Sequence, residues 1–153
     1  MRRIKGITLA VCLLATMSVT AVAQNSMSGA QENKTLYQRL GGYDAVAAVV
    51  DDFIGRLIAD DRFAKFFKGA SDDSKKRIRQ HIVDQFCAAA GGPCVYTGRD
   101  MKTSHKGLGI TEDEWNGAAK HLVASLDKFK VPEKEKNDLL AFVVSLKKDI
   151  VEK

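Results

Sequence analysis

Residues 43–61 read YDAVAAVVDDFIGRLIADD, and apolar side chains recur in this stretch at intervals of three and four residues. They are Val46, Val49, Val50, Phe53, Ile54, Leu57 and Ile58. Because an α-helix completes a turn every 3.6 residues, this spacing places them on one face. The stretch therefore predicts an amphipathic helix packed against the rest of the protein.

The segments on either side are also typical of helices. Residues 35–42, TLYQRLGG, predict a short helix that ends at two glycines, which favour a left-handed cap. A longer helix is predicted to start near Ser71 or Ser74 and to run to the GGP break at 91–93. His81 lies beside its predicted apolar face, which carries Ile78, Ile82, Phe86 and Ala89.

The remaining segments complete a helical domain. Thr111 and Glu114 have the spacing of a capping box, and Pro132 opens a last helix that we expect to continue through residues 132–153. An aromatic turn is expected around Phe63, Phe66 and Phe67. Since no segment alternates with period two and no repeat is visible, the sequence predicts one all-α domain.

The first residues have the pattern of an export signal. Residues 1–23 combine a basic start, an apolar run from Ile7 to about Met17 and a small-residue end at Ala21-Val22-Ala23. We expect this signal peptide to be cleaved before Gln24, leaving a flexible tether over 24–33 and a domain over 34–153 that is exported to the periplasm. An uncut anchor is the first alternative, but the run is shorter than the roughly 20 residues of a membrane span. Lipidation at Cys12 is the second.

Charge argues against a nucleic-acid partner. The chain carries 24 basic and 19 acidic residues, but three of the basic ones lie in the leader, which leaves 21 against 19. The basic run at residues 75–79 fits a solvated helix face. We therefore expect no nucleic acid to bind and no stable membrane span in the mature protein.

Cys87 and Cys94 are the cysteines that remain after the leader. In an oxidising compartment they can close a small disulfide, or they can be a buried helix cysteine and an exposed loop thiol. The sequence lacks a C-x-x-C-H motif, so it does not predict a haem attached through thioether bonds.

Few residues remain that could carry chemistry. The sequence has no G-x-S-x-G, no phosphate-binding loop and no H-E-x-x-H or Glu-x-x-His pair. His81 and His105 are candidate ligands for a transition metal, because neutral imidazole suits iron, copper and zinc. Two histidines alone do not define a metal site, and packing or surface roles stay open for both. His121 is expected to be structural.

Four stretches carry a resemblance to a known family: TLYQRLGG at 35–42, VVDDFIGRLIADDRFAKFFKG at 49–69, AAAGGP at 88–93 and YTGRDMKTSHKGLGIT at 96–111. With these motifs in order, the chain from Thr35 to about Ile150 resembles a group I truncated haemoglobin. The resemblance implies a truncated two-on-two globin fold around a haem pocket. It also implies haem b as cofactor and a diatomic gas, such as oxygen or nitric oxide, as ligand.

Residue by residue, the resemblance implies a haem site with two sides. His105 matches the proximal histidine that holds haem iron. The residues expected to border the macrocycle are Phe67, Ile78, Ile82, Phe86, Tyr96, Met101 and Ile110. In some relatives the phenylalanine matching Phe86 gates an apolar tunnel, although Phe86 and Met101 can equally be plain core. Lys102 or Lys106 is expected to meet the propionates.

The distal side departs from the family pattern. Relatives commonly place a tyrosine and glutamine there to hold bound dioxygen, whereas the matching positions here are Ile54, Ile78 and Ile82. His81 matches a position from which some cyanobacterial relatives give iron a second histidine. Its alternative role is at the pocket mouth, against a propionate or solvent.

Three functions follow from the resemblance. The first is gas binding, extending to oxidation of nitric oxide to nitrate if a reductase partner supplies electrons. The second is electron transfer or redox-stress protection by a bis-histidyl haem with a redox partner. The third, a sensor or structural globin that has lost haem, is disfavoured by the retention of His105 and Phe67.

Overall fold

The computed structural model describes residues 34–153. The predicted signal peptide, 1–23, and tether, 24–33, lie outside the described residues. Residues 34–153 contain eight helices and no strand, which confirms the all-α prediction. The helices are α1 Leu36–Leu40, α2 Tyr43–Ala59, α3 Asp61–Phe67, α4 Asp72–Ala89, α5 Met101–His105, α6 Glu112–Lys128, α7 Glu133–Ser145 and α8 Lys147–Ile150.

Side-chain caps fix where these helices begin. Thr35 and Thr111 each form a capping box, in which the threonine accepts the N–H of the third helical residue and that residue's side chain accepts the threonine N–H. Ser71 accepts the Ser74 N–H and thereby starts α4 at Asp72. The capping box predicted at Thr111 is confirmed.

Two local predictions were wrong. The expected aromatic turn at residues 63–67 is helix α3, which starts because the Asp60 carboxylate accepts the Arg62 N–H. The last helix does not continue to residue 153: α7 stops at Ser145, α8 adds one turn, and the backbone is extended at Val151. Residues 152–153 then pair with the chain around Ile110.

The core is built around α2, which packs against α1, α3, α4 and α6. The buried apolar residues of this core are Val46, Ala47, Val49, Val50, Ile54, Val83, Phe86, Leu122, Leu126 and Leu139. The face predicted for α2 is thus confirmed from Val46 to Ile54, while Ile58 near its end is 44% exposed. One polar link crosses this core: Asp52 on α2 accepts hydrogen bonds from Ser125 Oγ at 2.8 Å and from Lys128 Nζ, both on α6.

Helix α4 is rotated relative to its predicted apolar face. Val83, Phe86 and Cys87 are buried, whereas Ala89 is exposed and Ile78 is 39% exposed. The row of side chains that packs against α2 is therefore displaced by about one residue from the row that the sequence predicted. Ile78, His81 and Ile82 lie on a neighbouring side of the helix. No helix within residues 34–153 is long and apolar enough to cross a membrane.

Candidate functional site

His105 is the last residue of α5, and its ring is already oriented by a backbone contact. Nδ1 lies 2.9 Å from the carbonyl oxygen of Met101, one helical turn earlier. Because a carbonyl oxygen can only accept, Nδ1 carries the ring proton in this contact. Nε2 of the neutral ring is then left with the free lone pair. Metal-binding histidines typically show this arrangement, in which the second nitrogen donates to a carbonyl or carboxylate.

Helix α5 is held at its start by a residue that sequence reasoning missed. The Asp100 carboxylate accepts the Thr103 N–H at 2.8 Å and the Thr103 hydroxyl at 2.7 Å. These two donors, the N–H first, lower the pKa of Asp100. The D-x-x-T spacing was the available signal, since aspartate is a favoured N-cap. Asp100 thus fixes the start of the helix that carries His105.

Tyr96 connects the two sides expected of the site. Its hydroxyl donates to the carbonyl oxygen of Arg99 at 2.6 Å, just before α5, and burial raises its pKa. Its ring meets that of His81 on α4 edge-on, with centroids 6.0 Å apart. The structure therefore brings His81 next to the segment that leads to His105.

His81 is partly buried and held by few polar contacts. Its Nδ1 is the one buried side-chain polar atom among residues 34–153 that has no hydrogen-bond partner. Leaving such an atom unpaired costs about 1–3 kcal/mol. The ring therefore has unused capacity to bind a proton donor or a metal.

The other side chains on the predicted distal side are apolar. Ile54 is buried in the core cluster, Ile82 is half-buried against it, and Ile78 is the exposed member of the three. None of them can donate a hydrogen bond. The Tyr96 hydroxyl is already committed to Arg99. The distal side offers one polar ring, His81, on an apolar surface.

The residues predicted to border the macrocycle, apart from the exposed Ile78, fall into two groups. Phe67, Tyr96, Met101 and Ile110 are partly buried, as is Ile82, so each still presents surface. Phe86, by contrast, is buried, and its ring meets Phe142 edge-on at 6.4 Å. Phe86 also lines an apolar cavity of about 130 Å³ between α1, α2, α4, α6 and the chain after α6. Its position suits a core residue at the wall of that cavity.

Cys87 and Cys94 form a disulfide, one of the two alternatives that the sequence left open. It joins the end of α4 to the loop that leads through Tyr96 to α5. The backbone passes so close that a Cβ on Gly92 would lie 2.7 Å from Cys87 Sγ and 2.6 Å from the Tyr37 ring. Glycine is therefore required at position 92 for this loop to close.

His121 lies in a separate polar cluster. Its Nε2 is 2.8 Å from Asp60 Oδ2, and its ring meets Phe63 edge-on at 5.8 Å. Hydrogen bonds from Arg62 and then from His121 lower the pKa of Asp60. This arrangement ties α6 to the start of α3, which is a structural role, as expected.

The side chains that could bind a metal fit a cofactor whose metal ion already has most of its ligands. Among residues 34–153, no three His, Cys, Asp or Glu side chains are placed to hold a metal ion. The metal-binding capacity consists instead of a single oriented imidazole, His105, and an unpaired one, His81. An iron already ligated by a porphyrin needs one or two such axial ligands.

Comparison with known proteins gives a consistent result. A family model described as bacterial-like globin matches residues 35–152. The group 1 truncated haemoglobin of Mycolicibacterium paratuberculosis is 35% identical over 119 residues, covering 78% of this chain and 85% of the relative. That of Synechocystis sp. is 37% identical over 116 residues, covering 73% of this chain and 88% of the relative.

Solved structures show the same similarity. Truncated haemoglobin from Tetrahymena pyriformis in its Fe(III) form superposes with a TM-score of 0.71 at 28% identity, covering 78% of this chain and 100% of that one. The 2/2 haemoglobin from a Synechococcus species, in the cyanomet state and with covalently attached haem, gives 0.70 at 28% identity, with the same two coverages. The helical fold, the oriented His105 and these matches together show that the chain belongs to the bacterial-like globins and, within them, to the group 1 truncated haemoglobins.

Proposed function

We propose that the protein binds haem b through His105 Nε2 and exchanges a diatomic gas on the opposite face, where His81 competes for the iron. Membership of the globin family implies a haem and a gas ligand. The observation that carries the proposal is the His105 Nδ1 contact with the Met101 carbonyl at 2.9 Å, which leaves Nε2 available. When bound, haem iron supplies a coordination position that a gas molecule can occupy.

Noncovalent haem b is favoured over a thioether-linked haem by the state of the cysteines. Thioether attachment uses free cysteine thiols, and Cys87 and Cys94 are bonded to each other. The haem would then be retained by His105 and by the partly buried apolar side chains of Phe67, Ile82, Met101 and Ile110. The exposed Lys102 and Lys106 flank His105 and are suited to meet the propionates.

His81 is proposed as the sixth ligand in the resting protein. Its buried Nδ1 has no hydrogen-bond partner, and its ring contacts the Tyr96 ring edge-on. Turning the ring towards iron therefore breaks no hydrogen bond. An incoming gas must displace His81, so its apparent affinity falls by the fraction of protein in which the position is open.

The apolar distal side favours release of bound dioxygen over its storage. Ile54, Ile78 and Ile82 cannot donate to a bound ligand, and a donor to a charged acceptor is worth about 1.5–3 kcal/mol. If the whole of this free energy appears in the dissociation rate, dioxygen leaves roughly ten- to a hundredfold faster than from a site with a hydrogen-bond donor. The apolar cavity beside Phe86 suits small uncharged gases. Oxidation of nitric oxide is a further activity of this site if a reductase partner is present.

Electron transfer or redox-stress protection is the second candidate, favoured by the unpaired His81. If two histidines hold the iron in both oxidation states, little rearrangement accompanies electron gain or loss. We also propose export to the periplasm. The leader-like residues 1–23 support this. So does the Cys87–Cys94 disulfide, since such bonds persist in oxidising compartments.

The deciding experiment is the absorption spectrum of the haem-loaded protein, ferric and ferrous, with and without CO. We expect low-spin spectra and slow CO entry in the wild type. His105→Ala should lose haem or its proximal bond, while His121→Ala, which alters the Asp60 cluster, should leave the spectra unchanged. An unaltered ferrous spectrum in His105→Ala contradicts the proposal. A high-spin wild type with fast CO entry supports gas binding and contradicts ligation by His81.

A further inference from the structure

We infer that Glu152 is a positioning residue for His105, because its carboxylate fixes the loop that follows the histidine. The inference rests on the proposed function, in which His105 holds iron. In this role Glu152 keeps the His105 imidazole in one orientation. Glu152 lies 47 residues from His105 in sequence, and nothing in the local pattern around the histidine points to it.

The Glu152 carboxylate binds two backbone N–H groups of this loop. Oε1 accepts the Gly107 N–H at 2.7 Å, and Oε2 accepts the Gly109 N–H at 2.6 Å. These bonds, the first from Gly107, lower the pKa of Glu152. Hydrogen bonds to an ionised acceptor are shorter and roughly twice as strong as neutral ones. The loop is thus held by one carboxylate that bridges two of its residues.

The backbone on both sides reinforces this clamp. The N–H groups of Glu152 and Lys153 donate to the carbonyl of Ile110 at 2.8 and 3.2 Å. The carbonyl of Lys153 accepts the N–H of Glu112, the first residue of α6, at 3.0 Å. Residues 152–153 therefore connect the loop after His105 to the start of the next long helix.

The loop needs such a clamp because its own conformational preferences are weak. Gly107 and Gly109 have φ angles of +81° and +63°, in the left-handed region that glycine populates as readily as its mirror image. No atom lies within 4 Å of the position of a Cβ on Gly107, so packing does not hold this residue either. Leu108 between them is 42% exposed. Their conformation is set mainly by the two bonds to Glu152.

The histidine depends on the loop because α5 has little stability of its own. The helix has five residues, none of them buried, and isolated helices of this length are marginal in water. Asp100 holds its first turn, and at its end the Leu108 N–H donates to the His105 carbonyl at 3.1 Å. Helix α8, which precedes Glu152, packs against α5. His105 therefore lies between two carboxylate-anchored ends, Asp100 and Glu152.

The test uses Glu152→Gln in a His81→Ala background, so that His105 is the single protein ligand of ferrous iron. Glutamine keeps the size of the side chain, but its NH₂ group faces one of the two N–H donors and the charge is lost. We expect the Fe–N(His) stretching band in resonance Raman spectra to shift or broaden. Haem transfer to apomyoglobin should accelerate about tenfold or more, as for other residues that orient metal ligands.

A second measurement needs no haem. In the haem-free protein, hydrogen exchange at the Gly107 and Gly109 amides should accelerate strongly in Glu152→Gln. Glu135→Gln is the matched control, because Glu135 is a buried carboxylate that accepts a hydrogen bond from Arg39 at 2.9 Å and joins α1 to α7. It should leave both the Raman band and these two amides unchanged even if it lowers the overall stability.

Failure of this inference and failure of the proposed function give different results. If amide exchange, Raman band and haem transfer in Glu152→Gln all match the Glu135→Gln control, the positioning role is overturned. Faster exchange with an unchanged Raman band shows a structural role alone, which also overturns it. If His105→Ala in the same background retains the Fe–N(His) band, His105 is not the ligand and the proposed function fails first.

Discussion

The rings of His81 and Tyr96 meet edge to face with centroids 6.0 Å apart, and the Tyr96 hydroxyl bonds to the carbonyl that precedes α5. This contact joins helix α4 to the segment that carries His105. Nδ1 of His81 has no hydrogen-bond partner. The His81 ring is thus held by packing on one side and by no hydrogen bond.

Replacement of His81 by alanine is therefore expected to open the sixth coordination position. The ferric and ferrous spectra should change from low-spin to high-spin, and CO should bind about tenfold faster if roughly a tenth of the wild type is open at equilibrium. Stopped-flow mixing with CO measures the rate. Unchanged spectra in both oxidation states would show that His81 stays at the pocket mouth.

Ile82→Gln should add the hydrogen-bond donor that the distal side lacks. Ile82 is half-buried on α4, one turn after Ile78 and on the side of the helix that also carries His81, so we expect an amide there to face a ligand on that side. In a His81→Ala background we expect dioxygen dissociation to slow by roughly ten- to a hundredfold. Ile82→Leu, which adds no donor, is the control and should leave the dissociation rate nearly unchanged.

Two glycine substitutions should have opposite effects on stability. A Cβ at Gly92 would meet Cys87 Sγ at 2.7 Å and the Tyr37 ring at 2.6 Å, so Gly92→Ala should lower the free energy of unfolding by about 1–3 kcal/mol. A Cβ at Gly55, inside α2, meets nothing within 4 Å, so Gly55→Ala should raise it by about 0.5–1 kcal/mol. Urea unfolding monitored by circular dichroism measures both.

Loss of the Cys87–Cys94 disulfide should destabilise the domain. The bond closes a loop between cysteines seven residues apart, and loop-closure entropy for such a loop amounts to about 2–3 kcal/mol. A reductant added during urea unfolding should lower the midpoint of the wild type. The double variant Cys87→Ala/Cys94→Ala should start lower and not respond to reductant. Equal midpoints with and without reductant would contradict the prediction.

Stability should fall in acid through the carboxylates that pair in the fold. Hydrogen bonds from Lys128, Arg56 and Ser125 hold the pKa of Asp52 well below its unfolded value of about 3.9. A group whose pKa is lower in the folded state stabilises the fold at pH values above its unfolded pKa. This contribution disappears as pH falls below about 4. Asp52→Asn should therefore flatten the fall between pH 5 and 3 in urea unfolding, while the exposed Asp44→Asn should not.

The sequence predicted the helices well where local signals were strong. Apolar spacing located α2, the glycine pair located the end of α1, and the capping-box spacing at Thr111 located the start of α6. Helix α3 was missed although its start has a local signal, because Asp60 is a favoured N-cap residue and accepts the Arg62 N–H two residues later. The contact of Asp60 with His121 on distant α6 leaves no such local pattern.

Periodicity also could not separate two apolar stripes on α4. The Val83, Phe86 and Cys87 stripe packs against the core, whereas Ile78 and Ile82 lie beside it together with His81. In both stripes the apolar residues recur every three or four positions. Spacing alone therefore cannot show whether a stripe packs against another helix or faces a cofactor. The likeness of the motifs to known globins, rather than spacing, identified His105. Glu152 was missed because its partners lie more than 40 residues away.

Helix α5 buries none of its five residues, and this has a consequence for how the protein acquires its cofactor. The free energy of local opening rises with the apolar area that a segment buries, so α5 can open at far lower cost than α2 or α6. A haem can then enter through transient release of this short helix while the core stays folded. If the chain is exported as proposed, folding and haem loading become separate steps, and the second needs no unfolding.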